Sequence, residues 1–322
     1  MNRKQLLNVL KIAVSLILIV VILRSVDLAT LWKVVRQANL WLLGAALAVS
    51  FVGVILRAYR WQILLEDQGV HASMGELSAL WFVSFLFTNL LPSGIGGDAI
   101  KMYELSRSSE RGAQAVSSVL VDRFMGLFAL QAIALVALVF SWQLIPGRIV
   151  AFTIVIFGVS LLVAWVVSYR RLWDMLERRV PLMDRLLSIK MVRALFDSLQ
   201  SYSRPALLRA FGVGVAFNVL LIGMNVLIGQ ALGAGNLPLA YFMVFVPITS
   251  VVLLAPISFA GLGVREGTYV FLFTQAGLSQ EVALSLSLLV YVLGTVGPGI
   301  VGGVIYIARG TRGYRLVEAV RQ

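Results

Sequence analysis

Apolar residues in this chain form long runs that are separated by short polar stretches. Six of these runs are long enough to cross roughly 30 Å of hydrocarbon as α-helices that rise about 1.5 Å per residue. They cover residues 6–23, 40–56, 113–140, 149–168, 207–232 and 280–308. The pattern predicts an all-α polytopic membrane protein with six full transmembrane helices.

Two further apolar runs are interrupted by proline and glycine. Residues 76–91 lead into Pro92 and three glycines, and a charged helix is predicted over residues 98–109. Residues 239–255 lead into a second break at residues 256–263, and the chain returns over residues 265–276. Interrupted segments in corresponding positions of two halves are typical of transporters with inverted repeats. We therefore predict two re-entrant hairpins within one integral membrane domain.

The predicted repeats and their orientation follow from where the basic residues lie. Repeat 1 covers about residues 40–140 and repeat 2 about residues 207–308, with a basic linker at residues 169–206 between them. If residues 76–91 crossed the bilayer, this linker would lie outside, against the positive-inside rule. The first hairpin is thus predicted to enter from the cytoplasm and the second from outside, with both termini cytoplasmic. An alternative with eight spans, in which both short segments cross, remains open.

Composition agrees with a multi-pass protein of a bacterial-type plasma membrane. The chain of 322 residues is 60% hydrophobic and 13% charged, which is too apolar for a soluble domain. Its net charge of +12 is distributed between the apolar runs, which indicates cytoplasmic loops rather than nucleic-acid binding. There is no cysteine, which excludes disulfides and zinc-thiolate sites. No metal-ligand cluster or catalytic triad stands out, so we expect neither an enzyme nor a cofactor.

The first break carries residues suited to an anionic ligand. A helix that restarts inside the membrane offers free backbone N–H groups and the positive end of its dipole. We expect Gly94, Gly96 and Gly97 to allow close backbone approach and Lys101 to act as a phosphate-binding cation. Asp98 is either the N-cap of the helix or a counter-ion or proton acceptor.

The second break offers a similar set. Ser258, Gly261 and Gly263 are expected to supply hydroxyl or backbone contacts. Arg265 is expected to bind phosphate with two hydrogen bonds, a geometry that favours arginine over lysine. Glu266 either pairs with Arg265 or accepts a proton.

Two charges also lie inside the third span. Asp122 and Arg123 are about 14 Å from its start, near the membrane midplane, where ionisable residues are functional candidates. As neighbours on a helix they point about 100° apart, so each is expected to have a different partner. Arg123 with Glu266, or Asp122 with Arg265, are the expected pairs. Residues 57–61, after the second span, are expected to form a basic and aromatic belt at the cytoplasmic face.

At the two breaks the sequence resembles the flippase-like family that includes the transmembrane region of bacterial lysylphosphatidylglycerol synthases. The matching stretches are residues 91–98 with Lys101, residues 121–123, residues 57–61 and, most specifically, residues 261–267. The resemblance runs from the first span to residue 308. It implies a membrane domain that moves a phospholipid or a polyprenyl-phosphate-linked molecule between leaflets. The chain ends at Gln322 without the soluble aminoacyl-transferase domain, so synthesis of lysyl-lipid by this chain is not expected.

The expected function is therefore lipid translocation, with the phosphate held at the two breaks. One alternative is a non-transporting accessory or scaffold subunit of a membrane enzyme that modifies lipids or glycolipids. Another is a small-solute transporter. Intramembrane charges favour transport over a scaffold, because a scaffold has no need for costly buried ions. The expected partner is a membrane lipid, and the oligomeric state is open.

Overall fold

The computed structural model describes residues 28–91, 96–108, 112–169, 190–255, 258 and 261–309. All regular structure in these ranges is helical, which confirms the predicted fold class. The predicted span at residues 6–23 and most of the basic linker lie outside the described residues.

The described helices are numbered in chain order. They are α1 (Leu28–Arg36), α2 (Leu40–Asp67), α3 (Met74–Leu90), α4 (Gly96–Ser108), α5 (Gly112–Ser141), α6 (Gly147–Ser168), α7 (Lys190–Gln200), α8 (Arg204–Ala231), α9 (Leu239–Val252), α10 (Val264–Gln275), α11 (Gln280–Tyr291) and, after a π-helical turn at Val292–Val296, α12 (Gly297–Arg309). By length and apolar composition, five segments among the described residues could cross a membrane: α2, α5, α6, α8 and the continuous run Gln280–Arg309. The shorter apolar helices α3 and α9 are the first arms of the two predicted hairpins.

Helices α2 and α8 pack against each other in opposite directions along their whole length. The Asn39 amide donates to the Ala231 carbonyl (3.0 Å) at one end, and the Ser203 amide donates to an Asp67 carboxylate oxygen (2.8 Å) at the other. Each helix has 28 residues and so spans about 42 Å. The pair therefore defines two opposite ends of the bundle, here called the Asp67 end and the Ala231 end.

Helix α2 is longer than predicted. The apolar pattern suggested an end at residue 56, but the helix continues to Asp67 because no proline or glycine interrupts it. Arg60 is only 4% exposed and Trp61 is fully buried. The interpretation of residues 57–61 as a belt at the membrane surface is wrong for these two side chains, which lie inside the bundle.

The chain reverses direction at each break. Gly97 of α4 packs against the Ser84 turn of α3. Lys101, one turn further along α4, lies over Trp81, which is one turn before Ser84 in α3. At the second break Gly261 lies beside Leu253, and the Phe273 ring contacts Phe245 and Phe242 further back in α9. The two arms of each segment are thus antiparallel, and helix α3 starts at the Asp67 end whereas α9 starts at the Ala231 end.

The two hairpins pack reciprocally on the other half of the protein. Helix α3 lies against α12, with Glu76 paired to Arg309 (2.7 Å) at the Asp67 end. Helix α9 lies against α5, with the Tyr241 hydroxyl donating to the Leu144 carbonyl (3.2 Å) at the Ala231 end. This exchange agrees with the arrangement expected of an inverted repeat. The repeat boundaries and the sides of the membrane remain predictions.

Candidate functional site: a cavity between the two helix breaks

A cavity of about 390 Å³ lies between the two breaks. Gly97 and Asp98 of the first break and Gly261 and Arg265 of the second line the same space. This volume falls in the range typical of small-molecule sites, roughly 300–1,000 Å³. The fold therefore brings together two segments that are more than 150 residues apart in the sequence.

Asp98 is the centre of a charged cluster at the first break. Its carboxylate lies 2.8 Å from Lys101 Nζ and 2.9 Å from Arg123 Nε. Of the two roles expected for Asp98, the geometry supports the counter-ion. Lys101 is only 2% exposed, and its ammonium group also lies 3.4 Å from the centre of the Trp81 ring. These contacts argue against Lys101 as a direct phosphate ligand.

Asp122 and Arg123 have different partners, as predicted, but not the expected ones. Asp122 accepts two hydrogen bonds from Arg60, at 2.6 Å from Nε and 3.0 Å from Nη2. Arg123 pairs with Asp98 instead of Glu266. The expectation failed because α2 extends beyond residue 56 and places Arg60 beside α5. The Arg123 side chain is 40% exposed and lines the cavity.

The second break is stabilised by an ion pair between adjacent residues, Arg265 and Glu266. Glu266 also accepts a hydrogen bond from the Gly263 amide (2.6 Å), which satisfies a donor at the start of α10. Both Gly261 and Gly263 have positive φ angles (78° and 82°), a conformation that strongly favours glycine. Glu266 is therefore the ion-pair partner of Arg265, one of its two expected roles.

One tyrosine links the two breaks. The Arg265 guanidinium lies 3.9 Å from the centre of the Tyr291 ring, and the Tyr291 hydroxyl donates to Asn89 at the end of α3 (2.7 Å). The Asn89 amide in turn lies 3.4 Å from the carbonyl of Thr295 in the π-helical turn. Such turns within α-helices are frequent at functional sites.

The predicted site residues that the structure describes thus divide into three groups. Six of them line the cavity: Gly97, Asp98, Asp122, Arg123, Gly261 and Arg265. Lys101 and Glu266 are bonded to members of that group. Gly96, Ser258 and Gly263 are buried, and a Cβ on Gly96 would lie 2.7 Å from Leu91 Cβ, so Gly96 serves the packing of the hairpin. Gly94 lies outside the described residues.

The sequence interpretation missed Arg57. This side chain lines the cavity, and its guanidinium carbon lies 4.2 Å from the centre of the Phe217 ring and 5.4 Å from those of Trp81 and Phe85. Among the described residues it forms no ion pair with a carboxylate. The signal that could have identified it is the uninterrupted helical pattern to Leu65, which places residue 57 inside a span.

The polar part of the cavity carries an excess of positive charge. Within the described residues, the groups that line it or are bonded to its lining are five cations (Arg57, Arg60, Lys101, Arg123 and Arg265) and three carboxylates (Asp98, Asp122 and Glu266). Because cations outnumber carboxylates among these described groups, the cavity is electrostatically suited to an anion.

Another part of the lining is apolar. Its residues come from α2, α5, α8, α11 and the turn that follows α9, and include Val49, Leu127, Leu130, Leu220, Leu221, Met224, Leu253, Leu254 and Val290. A ligand that fills this space would have both an anionic and an apolar part.

Comparison with known proteins agrees with this architecture. The profile of the family described as the lysylphosphatidylglycerol synthase TM region matches residues 8–302. A UPF0104 membrane protein from Pyrococcus horikoshii is 19% identical over 326 residues, an alignment that covers 92% of this chain and 96% of the relative. The match extends from the first predicted span to α12.

Proposed function

Because this chain belongs to the family of lysylphosphatidylglycerol synthase transmembrane regions, we propose that it is a translocator that moves a phospholipid or a polyprenyl-phosphate-linked lipid between leaflets. The observation that carries the proposal is the cavity itself, which is lined by both breaks and has an excess of cations beside an apolar wall. The headgroup phosphate would lie among the cations and the start of the acyl chains against the apolar residues.

The cations that line the cavity could hold a phosphate by different means. Arg123 is the most exposed member of the charged cluster, and its side chain lines the cavity while its Nε is paired to Asp98. Arg265 is oriented by Glu266 and by the Tyr291 ring, so that it needs little reorganisation to bind. Desolvated arginine donors of this kind form strong hydrogen bonds to phosphate oxygens.

The two hairpins provide a route to the cavity from each side. Helix α3 starts at the Asp67 end and α9 at the Ala231 end, so movement of one hairpin would open the cavity toward one leaflet only. The contacts of Tyr291 with Arg265 and Asn89 join the two hairpins and would couple their movements. Alternating movement of two repeats about a central site is the usual mechanism of transporters built in this way.

The buried ions favour a transporter over a scaffold, and the apolar wall favours a lipid over a small polar solute. A scaffold would not require Arg60, Asp122, Arg265 and Glu266 to be buried, since an apolar core of the same shape is often equally stable.

The test is lipid movement in vesicles that contain the purified protein. With tail-labelled fluorescent lipids and an impermeant quencher, we expect the inner-leaflet signal to decay faster than in protein-free vesicles. Arg123→Ala should slow this decay about tenfold or more, because it removes a cation from the cavity.

The control for that variant is Arg148→Ala, which removes an exposed arginine at the start of α6. This variant should transport at the wild-type rate. If lipids moved no faster than in protein-free vesicles, a scaffold or a small-solute transporter would replace the lipid proposal.

A further inference from the structure

The cavity is too small to hold a whole lipid. An apolar cavity of about 150 Å³ holds one benzene molecule, so the cavity of about 390 Å³ has space for roughly 16 non-hydrogen atoms. A chain that crosses half of a hydrocarbon core of roughly 30 Å needs about 12 carbons, so two such chains already exceed this space. A phosphate group with a glycerol unit is small enough to fit. The headgroup and the chains of a bound lipid must therefore lie in different places.

The cavity has an apolar edge at the second break. Leu254 is 44% exposed, more than any other apolar side chain in the described part of the lining. Leu253, which also lines the cavity, is partly exposed and lies beside Gly261. Both residues follow the last turn of α9. These two residues, here called the leucine edge, mark a place where the cavity meets the outside of the bundle.

The leucine edge lies near the middle of the bundle. Gly126 and Leu127 line the same cavity and are the central residues of α5, whose 30 residues span about 45 Å. Helix α9 starts at the Ala231 end, and its 14 residues cover about 21 Å, which is half the length of α8. Because the hydrocarbon core is roughly 30 Å thick, we expect an exposed leucine at this depth to face acyl chains rather than headgroups.

We propose that the cavity holds only the headgroup of its lipid and that the apolar chains leave it sideways, over Leu253 and Leu254, into the bilayer. The inference rests on the proposed function and makes it more specific, because it assigns lipids with a compact headgroup as the substrate class, whatever the length of their chains. Lipid tails are as apolar as leucine, so the chains keep an equivalent environment at this edge. Only the headgroup then has to leave water.

The first experiment determines what the leucine edge faces. The natural chain contains no cysteine, so Leu254→Cys can carry a single bimane fluorophore. In vesicles with brominated acyl chains, we expect its fluorescence to be quenched as strongly as that of bimane on Val155→Cys, an exposed position of α6. Aqueous iodide should quench both only weakly. Stronger quenching at residue 254 by iodide than by brominated lipid would place the edge in water and overturn the sideways exit.

The second experiment varies the chains and the headgroup in vesicles that contain the wild-type protein. Phosphatidylethanolamine with one labelled chain carries a short or a long second chain, and its amine carries an acetyl group or a polyethylene glycol. The two amides have the same charge and differ in size. After subtraction of the protein-free rate, chain length should change the rate by less than about twofold, whereas polyethylene glycol should lower it at least about tenfold.

The outcomes of this experiment separate the two proposals. Equal rates for the acetyl and polyethylene glycol lipids would overturn the size limit on the headgroup and leave translocation intact. A rate that falls steeply with chain length would show that the chains enter the protein, which would overturn the exit over the leucine edge. If none of the lipids moved above the protein-free rate, lipid translocation itself would fail.

The third experiment obstructs the leucine edge in protein that has already folded. Purified Leu254→Cys is assayed before and after reaction with a bulky maleimide. The adduct should slow transport about tenfold or more, because it occupies the space through which the chains pass. The matched control is Leu90→Cys, which replaces an exposed leucine at the end of α3 that does not line the cavity, and its adduct should leave the rate unchanged. An unchanged rate with the adduct at residue 254 would exclude the leucine edge as the exit. If Leu254→Cys is inactive before the reaction, the second experiment still decides the proposal with the wild-type protein.

Discussion

At the scale of single residues, the pair of Arg60 and Asp122 joins α2 to α5 within predicted repeat 1. Both side chains are almost fully buried, and two hydrogen bonds join them, one to each carboxylate oxygen. Breaking a buried pair leaves an uncompensated charge, which costs about 3–5 kcal/mol. We predict that Asp122→Asn lowers the unfolding temperature clearly, as measured by thermal unfolding of the purified protein in detergent.

A matched control is the more exposed pair of Glu76 and Arg309, whose side chains are 26% and 33% exposed. Glu76→Gln should cost only about 0–1 kcal/mol because solvent screens that pair. The double variant Arg60→Met/Asp122→Leu should recover part of the stability lost in Asp122→Asn, since apolar side chains need no partner. Equal unfolding temperatures for Asp122→Asn and Glu76→Gln would contradict a structural role for the buried pair.

The sequence identified most charged residues of the cavity but not their partners. Asp122, Arg123 and Arg265 could be recognised because a charge inside an apolar run is conspicuous. Arg57 and Arg60 were missed because they follow an apolar run of sufficient length, where a basic residue normally marks the membrane surface. Which cation pairs with which carboxylate depends on tertiary packing. This pairing cannot be deduced from a single sequence.

At the scale of helices, glycine determines how closely α12 and α3 approach. A Cβ on Gly302 would overlap the backbone carbonyl of Phe82, and a backbone group cannot move aside without shifting the helix. Overpacking of this kind typically costs about 1–3 kcal/mol. We therefore predict that Gly302→Ala lowers the unfolding temperature and slows transport, because α3 is an arm of the first hairpin.

The neighbouring glycine provides the control. A Cβ on Gly303 would lie 3.7 Å from Leu86 Cδ1, an ordinary van der Waals distance. Gly303→Ala should accordingly change stability by less than about 0.5 kcal/mol, as is usual for substitutions that meet no steric conflict. A similar loss of stability in both variants would contradict close approach as the cause, since helix propensity alone favours alanine over glycine.

Helices were easier to predict than their ends. The breaks after residues 91 and 255 were recognised from proline and glycine, which have strong local preferences. The end of α2 was placed too early because hydropathy reports burial in lipid, whereas Arg60, Trp61 and residues 63–65 are buried in protein. The packing of α3 on α12 and of α9 on α5 could not be predicted from local sequence patterns either.

At the scale of the whole molecule, the sequence that adjoins the Asp67 end is strongly basic. Asp67 and Ser203 lie together there, and the linker that precedes Ser203 contains seven of the eight basic residues counted between residues 169 and 204. Arg309 lies at the same end through its contact with Glu76, which follows α2 closely. By the positive-inside rule the Asp67 end should be cytoplasmic.

This orientation can be tested with single cysteines, because the natural chain contains none. His71 is exposed at the Asp67 end and Asn236 is exposed at the Ala231 end. With an impermeant maleimide on intact cells, Asn236→Cys should be labelled directly and His71→Cys only after permeabilisation. If both short segments crossed the bilayer, as in the eight-span alternative, the two positions would lie on the same side. Labelling of both from one side would therefore contradict the hairpins, whereas labelling with the sides exchanged would contradict only the orientation.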